Sequence, residues 1–386
     1  MSVNEVGNGD RVLLGVVVIL ILLGILVVYS ASSFRGAEKY DDSARFLKLH
    51  LRRVLLGFLF LFCASKFDYH GFRWVTPFMF FLFFGLLVVV LLGPEFHGSR
   101  RSILLFGKRF QPSEFMKLTL IFYLAAVFAN RKRSRAYRGN RLWVHYITLL
   151  MIVGLVFIEP DLGTALVIYF IGFAMFYLSG IAWKQLAKRV LFLVPLILMG
   201  IVLFPYQRER FVDFWGSVLG KGPMSYQVKQ SIIGLAHGGF MGVGYGAGKQ
   251  KLFFLPEPFS DFILASFGEE LGFVGILILF SLLVVVLWRG IRIALRAPDL
   301  YGYLLAGGIT TMILVNALIN AGVVVNLLPT TGLPFPFLSY GGSSLLVHLI
   351  GVGVLLNISK KVVVPYRDFT LKRGRRSKWG EDREII

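Results

Sequence analysis

The sequence predicts an all-α polytopic membrane protein of about ten transmembrane helices, and three observations carry that class. Of its 386 residues 56% are hydrophobic and only 16% are charged, where soluble domains hold roughly 25% charged residues. The apolar residues lie in continuous runs near the ~20 residues that span a bilayer. They do not alternate with polar ones as in barrel strands, so helices are expected rather than a barrel. The basic residues, finally, collect in linkers that fall on one side of the membrane.

Taken in order, the first run, 12–29, precedes Ser30-Ala31-Ser32-Ser33, which faintly resembles a signal-peptidase site. The run is long for a signal peptide, and Glu5 and Asp10 spoil a basic leading region, so it is a retained first helix. Further runs lie at about 54–67, 74–93, 112–130, 143–158, 162–180, 189–205, 262–288, 301–326 and 339–359. An even number of spans puts both termini on one side. The linker 130–141, with Arg131, Lys132, Arg133, Arg135, Arg138 and Arg141 and no acid, marks that side as cytoplasmic. The linkers carrying Lys184, Lys188 and Arg189, and Arg289, Arg292 and Arg296, fall on the same side. The organisation expected is one transmembrane domain, 1–361, and a basic cytoplasmic tail, 362–386. A large extracytoplasmic loop, 205–262, joins the seventh and eighth helices.

Charge and cysteine content exclude several classes. Lys and Arg number 41 against 21 Asp and Glu, a net +20. In a membrane protein this follows from the bias of inner loops, so no nucleic acid is expected as a partner. Cys63 is the only cysteine, which excludes an intrachain disulfide and a cysteine-built metal site. His97, His237 and His348 are scattered without metal-ligand spacing, and no Ser/His/Asp nucleophile arrangement is present.

The loop 205–262 is the longest stretch without a membrane-like run. It carries Arg208, Arg210, Lys221, Lys229, Lys249 and Lys251, and a dense glycine set between Gly234 and Gly248. Its last charge is Asp261, at the mouth of the next span. The glycines superficially resemble a phosphate loop, but no Ser or Thr follows Lys249 and no strand precedes it. They suit tight turns and backbone approach to an anion instead. A lone carboxylate facing a basic loop points to chemistry on an anionic, lipid-borne substrate. Two further outer segments hold cations against the topological bias: Arg35–Arg53, and Gly98–Phe110 with Arg100, Arg101, Lys108 and Arg109. These suit either anion handling or lipid phosphates.

Other polar residues interrupt the spans. Glu114 and Lys117 stand three apart on one helical face at the start of the fourth, as an ion pair that satisfies itself and shapes a cavity. Asp161, in the tight link Glu159-Pro160-Asp161, is a candidate cap for the sixth. Glu269 and Glu270 diverge by about 100° on their helix, so at most one shares the face of Asp261. Gly341 and Gly342, in the segment Ser339–Ser344, permit close packing of the last span.

Together the segments Gln111–Lys117, Glu159–Thr164, Tyr226–Gln230, Leu255–Ile263, Glu269–Gly272, Leu328–Pro334 and Ser339–Ser344 resemble the SEDS family, represented by FtsW, RodA and SpoVE, in family order across nearly the whole chain. Gln250-Lys251-Leu252 and Leu255-Pro256-Glu257 look more like the division-type FtsW branch than the elongation-type RodA branch. Ser102, Phe259 and Asn316 depart from the residues common at those positions. The resemblance implies a peptidoglycan glycosyltransferase that polymerises lipid II into glycan at the outer face of the bacterial cytoplasmic membrane. It also implies a place at the division septum beside a class B penicillin-binding protein and other division proteins. Asp261 matches the family's essential aspartate. The residues expected at the substrate are Arg101, Glu114, Lys117, Asp161, Arg210, Gln230, Lys251, Glu257 and Ser339. Of these, Arg101, Arg210 and Lys251 are the cations expected at the pyrophosphate. No cofactor is fixed, and assistance by a divalent cation is left open. A lipid II flippase, an elongation-type polymerase and a division scaffold are the alternative readings.

Overall fold

A computed structural model of the chain describes residues 9–93, 101–105, 108–130, 141–190, 202, 204–222, 224–256 and 258–361. Its helices are α1 (Arg11–Tyr40), α2 (Arg45–Lys66), α3 (Phe72–Leu91), α4 (Pro112–Ala129), α5 (Arg141–Ile158), α6 (Leu162–Leu178) and the short α7 (Trp183–Val190). They continue as α8 (Pro205–Val218), α9 (Tyr226–Gly238), α10 (Gln250–Phe253), α11 (Ile263–Leu295), α12 (Leu300–Val324) and α13 (Gly342–Lys360). The strands β1 (Ile103–Leu105) and β2 (Lys108–Phe110) pair antiparallel, Leu104 opposite Arg109. Among the described residues six stretches of helix are long and apolar enough to cross a membrane: Arg11–Tyr40, Tyr69–Leu91, Pro112–Ala129, Ile263–Leu295, Leu300–Val324 and Gly342–Lys360. The seventh expected span, 189–205, lies almost wholly outside the described residues, as do most of the basic linker 130–141 and the tail 362–386.

The bundle core is α4, α12 and α13, whose apolar residues are buried nearly all round. Such helices show little amphipathic stripe because most of their surface meets protein rather than solvent or lipid. Small residues set the closest crossings. A Cβ on Gly353 of α13 would stand 2.4 Å from the Leu61 carbonyl oxygen of α2, and one on Gly24 of α1 would stand 2.7 Å from that of Phe337. Backbone-to-backbone approach of this kind replaces the hydrophobic driving force that lipid removes.

The first and last described residues meet at one face. The Asp10 N–H donates to Ser359 Oγ at 3.0 Å, and Arg289 Nε donates to Asp10 Oδ2 at 2.6 Å. At the linker joining α2 to α3, His70 Nε2 lies 2.5 Å from Asp299 Oδ2, and Lys361 pairs with Asp68. These contacts draw the ends of α1, α11 and α13 and the linkers before α3 and α12 together, the arrangement an even number of crossings requires.

One expectation is corrected at the opposite end, where the expected loop 205–262 also proves to hold α8, α9 and α10. The span expected at 262–288 is a broken helix. Gly272 has φ 66° and ψ −165° and divides α11 into 263–271 and 273–295. The left-handed φ is accessible because glycine has no Cβ. Amides beyond the break are satisfied by the glycine turn: Phe273 N–H donates to the Gly239 carbonyl at 2.9 Å, and Val274 N–H to that of Phe240 at 3.2 Å. In return the N–H groups of Val243 and Gly244 donate to the carbonyls of Glu269 and Glu270 at 3.0 and 3.1 Å. Non-helical backbone within a membrane span must be satisfied by protein in this way. In hydropathy, such a break looks like an uninterrupted span.

A cysteine placed at Gly220, with Cys63 removed, should react with an impermeant thiol reagent in intact spheroplasts, while one at Arg135 stays protected. The reverse pattern overturns the orientation expected from the basic linkers.

Candidate active site

Asp261 sits one residue before the Phe262 cap of α11, at the end of the strap that follows α10. Three hydrogen bonds hold the strap that carries it. The Asn320 side-chain amide, inside the apolar α12, donates to the Asp261 carbonyl at 2.7 Å and to the Leu333 carbonyl at 2.6 Å. The Tyr340 N–H donates to the Phe259 carbonyl at 2.9 Å. The strap before α11 is therefore clamped to α12 and to the link 325–341. The Asp261 side chain accepts from Ser260 Oγ at 2.8 Å, and the first turn of α11 has no side-chain cap. Neither Asp261 nor Ser260 caps the helix; Asp261 is half-buried and lines open space.

Gly332 supplies the opposite wall. Its φ is +69°, and a Cβ there would stand 3.2 Å from Asp261 Oδ2 and 3.3 Å from Arg101 Nη1. Acid and guanidinium thus flank one glycine, whose missing side chain leaves room for both. Two cavities meet at this point, and both are lined by Asp261, Ser260, Arg101, Arg109 and Gly332. The larger, about 750 Å³, is polar and strongly basic, reaching Arg35, Lys39, Arg53, Gln111 and Tyr340. The second, about 520 Å³, extends past Arg210 and Gln227 to apolar side chains of Leu162, Leu166, Phe211 and Leu328. Arg210 Nη1 donates to the Thr330 carbonyl at 2.8 Å, which holds the guanidinium at that wall.

The expected site residues divide accordingly. Asp261, Arg101 and Arg210 line the cavities. Asp161 does not, but it caps α6 through Thr164 N–H (3.0 Å) and accepts from Gln111 Nε2 at 3.0 Å, so it holds a side chain that does. Glu159, buried beside it, has no hydrogen-bond partner among the described residues. Burial and the neighbouring Asp161 charge push its carboxyl above the usual range, against the opposing pull of Arg101. Gln230 is half-buried off the cavity, and Gln227 takes the place expected of it. Ser339 is buried and closes a turn by accepting from the Phe335 N–H at 2.8 Å. Glu257 lies outside the described residues.

Lys251 is a correction. It lines neither cavity and is buried against Glu270 and Ser30 of α1, an ion pair that consumes its charge inside the bundle. Glu269 is likewise engaged, accepting from the Lys249 and Gln250 N–H groups at 2.9 and 3.2 Å. Neither glutamate shares the cavities with Asp261.

Lys117 and Glu114 form the expected pair at 2.7 Å, both fully buried. The lysine also approaches Asn316 Oδ1 at 3.5 Å, and the Asn316 amide faces His348 Nε2 at 3.2 Å. His348 Nδ1 lies 2.7 Å from the Ser344 carbonyl, so Nδ1 carries the proton and Nε2 accepts. A polar chain thus runs from the buried pair to Ser344 on the larger cavity's wall. Asn316 and His348 were illegible as partners because nothing in the sequence places α12 beside α13. Among the described residues no group of three or more His, Cys, Asp or Glu is placed to hold a metal.

The chain matches, over residues 10–363, the family described as "Cell cycle protein" and comprising FtsW, RodA and SpoVE. It is 38% identical over 354 residues to the probable peptidoglycan glycosyltransferase FtsW of Trichlorobacter lovleyi, covering 91% of this chain and 93% of that one. It is 39% identical over 365 residues to the stage V sporulation protein E of Bacillus subtilis, with 91% and 97% covered. Among solved structures it is similar to a chain from a study of how a peptidoglycan synthase complex coordinates polymerisation and crosslinking. That TM-score is 0.73 at 27% identity, over 93% of this chain and 99% of the other. The rod shape determining protein RodA of Thermus thermophilus gives a TM-score of 0.68 at 26% identity, over 93% and 98%.

Removing one partner of a buried ion pair costs about 3–5 kcal/mol, because the other charge is left uncompensated. Glu114→Gln and Lys117→Met should each lower the melting temperature in detergent. If both keep wild-type stability and lose only activity, the pair acts in chemistry rather than in shaping the cavity.

Proposed function

The chain belongs to the FtsW/RodA/SpoVE family of cell cycle proteins, and from that premise we propose how its site works as a peptidoglycan glycosyltransferase that polymerises lipid II. The reading is one transmembrane domain over 1–361, multi-pass in the bacterial cytoplasmic membrane. Both termini are cytoplasmic, and the site opens outward at the division septum. The observation that carries the mechanism is the single carboxylate placed where two cavities meet, with Arg101 beside it and Arg109 and Arg210 on the walls.

Asp261 takes the proton from the acceptor sugar hydroxyl as that oxygen attacks the donor's anomeric carbon. The bond from that carbon to the pyrophosphate oxygen breaks, and polyprenyl pyrophosphate departs with the bonding pair. A single displacement of this kind inverts the anomeric centre. Glycosidases need a second carboxyl because a sugar alcohol is a poor leaving group. A pyrophosphate leaves once its charge is countered, so one base and several cations suffice. The guanidiniums supply that countercharge with fixed, bidentate-capable donors. The apolar side of the smaller cavity, Leu162, Leu166 and Phe211, suits a lipid-linked substrate, and the basic larger cavity suits the anionic partner strand.

The partner reading is a class B penicillin-binding protein whose single transmembrane helix packs on the lipid-exposed faces of α11 and α12. Phe273, Leu277, Ile278, Val284 and Trp288 on α11 and Leu318 on α12 are exposed large apolar residues. Photocrosslinkers along 262–288 and 301–326 should capture that helix, whereas capture confined to α1–α3 rejects the placement.

Asp261→Asn preserves size and the Ser260 contact but cannot accept the proton, and positioned acid–base groups supply about 10²–10⁴ in rate. Purified variant, assayed with lipid II and the cognate transpeptidase, should fold and bind lipid II but polymerise at least about a hundredfold more slowly on that scale. Near-normal polymerisation removes Asp261 from the chemistry. Lipid II binding by the wild type with no polymer under any partner condition favours a flippase instead.

A further inference from the structure

We propose that the glycine-rich turn 238–248 is a re-entrant wedge whose Phe240–Met241 tip is inserted among lipid acyl chains. The sequence places it within a basic extracytoplasmic stretch, but the packing takes it down into the bundle. Helix α9 descends alongside the outer half of α11. A Cβ on Gly234 would lie 3.9 Å from the Ala265 carbonyl oxygen, one on Gly238 2.1 Å from that of Gly268, and one on Gly242 2.1 Å from that of Glu270. The chain then climbs back along α1. Tyr245 Oη donates to the Leu26 carbonyl at 2.9 Å, Lys251 bonds Ser30, and Arg35 Nη2 donates to the Leu255 carbonyl at 3.2 Å. Two neighbours thus record one excursion, down and up, through successive helical levels.

Depth follows from a common origin. Asp10 and Arg289 form an ion pair at the opposite surface, on α1 and α11. At 1.5 Å per residue, both Leu26 on α1 and Gly272 on α11 stand about 24–26 Å above that pair. The hydrocarbon core is about 30 Å thick, and helix tilt only lowers these heights. The tip therefore lies a few ångströms inside the far boundary. The two rulers agree although they run along different helices.

The surface at that depth suits acyl chains. Phe240 and Met241 are 65% and 74% exposed. Phe240 stacks on Phe273 with centroids 6.0 Å apart, and Phe273 heads an exposed apolar face continued by Leu277 and Ile278. On the other flank Leu22 and Leu26 of α1 are exposed. The tip thus fills the seam between two lipid faces. Tyr245 is half exposed with its hydroxyl satisfied, and His237 and Lys249 stand exposed at the shoulders, as residues at headgroup level do. Entry into hydrocarbon follows from these heights with the Asp10–Arg289 pair at the near boundary; that the leaflet entered is the outer one rests on the orientation proposed above.

The test uses the full chain with Cys63→Ser and an environment-sensitive fluorophore on Met241→Cys, or on Phe240→Cys as a second position. The protein is reconstituted in phosphatidylethanolamine–phosphatidylglycerol vesicles. Spin-labelled acyl chains should quench either label as they quench one on Leu277→Cys, while aqueous iodide quenches only a Gly220→Cys control. Iodide quenching of the tip equal to that at Gly220 overturns the insertion. Protection from both quenchers means that protein covers the tip, and overturns it too. Thiol labelling of Gly220→Cys in spheroplasts reports orientation separately, and none of these readouts depends on polymerisation.

Discussion

The site depends on one carboxamide. Asn320 is buried in α12, and its amide donates to two carbonyls, those of Asp261 and Leu333. The first fixes the acid, and the second fixes the link that carries Gly332. Beside that fork, the Tyr340–Phe259 backbone bond and the contact of their rings join the strap before α11 to the link before α13. The Leu333 carbonyl accepts in the buried interior, where leaving it unpaired costs about 1–3 kcal/mol. The same fork sets the separation of Asp261 from Arg101, since both charges abut Gly332.

The fold was legible wherever apolar runs and basic linkers speak for themselves. Nine of the ten expected runs coincide with helices within a few residues at most ends, although α1 and α2 extend past theirs because Ser30–Tyr40 and Arg45–Arg53 continue helical outside the apolar stretch. Asp261 was legible as a lone carboxylate at the mouth of a span, and Arg101 and Arg210 as members of basic outer segments. The cap by Asp161 was legible from the tight link that carries it, and the pair Glu114–Lys117 from its spacing of three. What was hidden is whatever depends on which helices are neighbours. Asn320 is one polar residue in a long apolar helix, and only the burial cost of such a residue hints at a role. The break at Gly272 leaves hydropathy unchanged.

Lys251 shows why a charge in a polar stretch is an unreliable guide. A loop charge reads as solvated, and beside a predicted acid it reads as a substrate contact. Here the stretch folds back into the bundle, so Lys251 and Glu270 are both desolvated and must find each other. Burying two ions is costly, and their attraction together with Ser30 offsets that cost only in good geometry. The pair's worth therefore lies in specificity: it ties α1, α10 and α11 in one register.

That register bears on the chemistry through a short rod. The outer half of α11, residues 263–271, has Asp261 just ahead of its first turn and Glu269 and Glu270 in its last. At 1.5 Å per residue it is about 13 Å long, too short to bend appreciably. Its upper end is held by Asn320, and its lower end by Lys251 and the amides of Lys249 and Gln250. The break at Gly272 uncouples it from the rest of α11, so the rod need not follow movements of the long lower segment. The base we propose at Asp261 has to be held within about 0.5 Å of its productive place, and a rigid element anchored at both ends achieves this better than a loop. The broken helix, the buried ion pair and the glycine turn are then one device. They let a carboxylate stand at a membrane surface in fixed geometry although the segment that precedes it is mostly irregular chain.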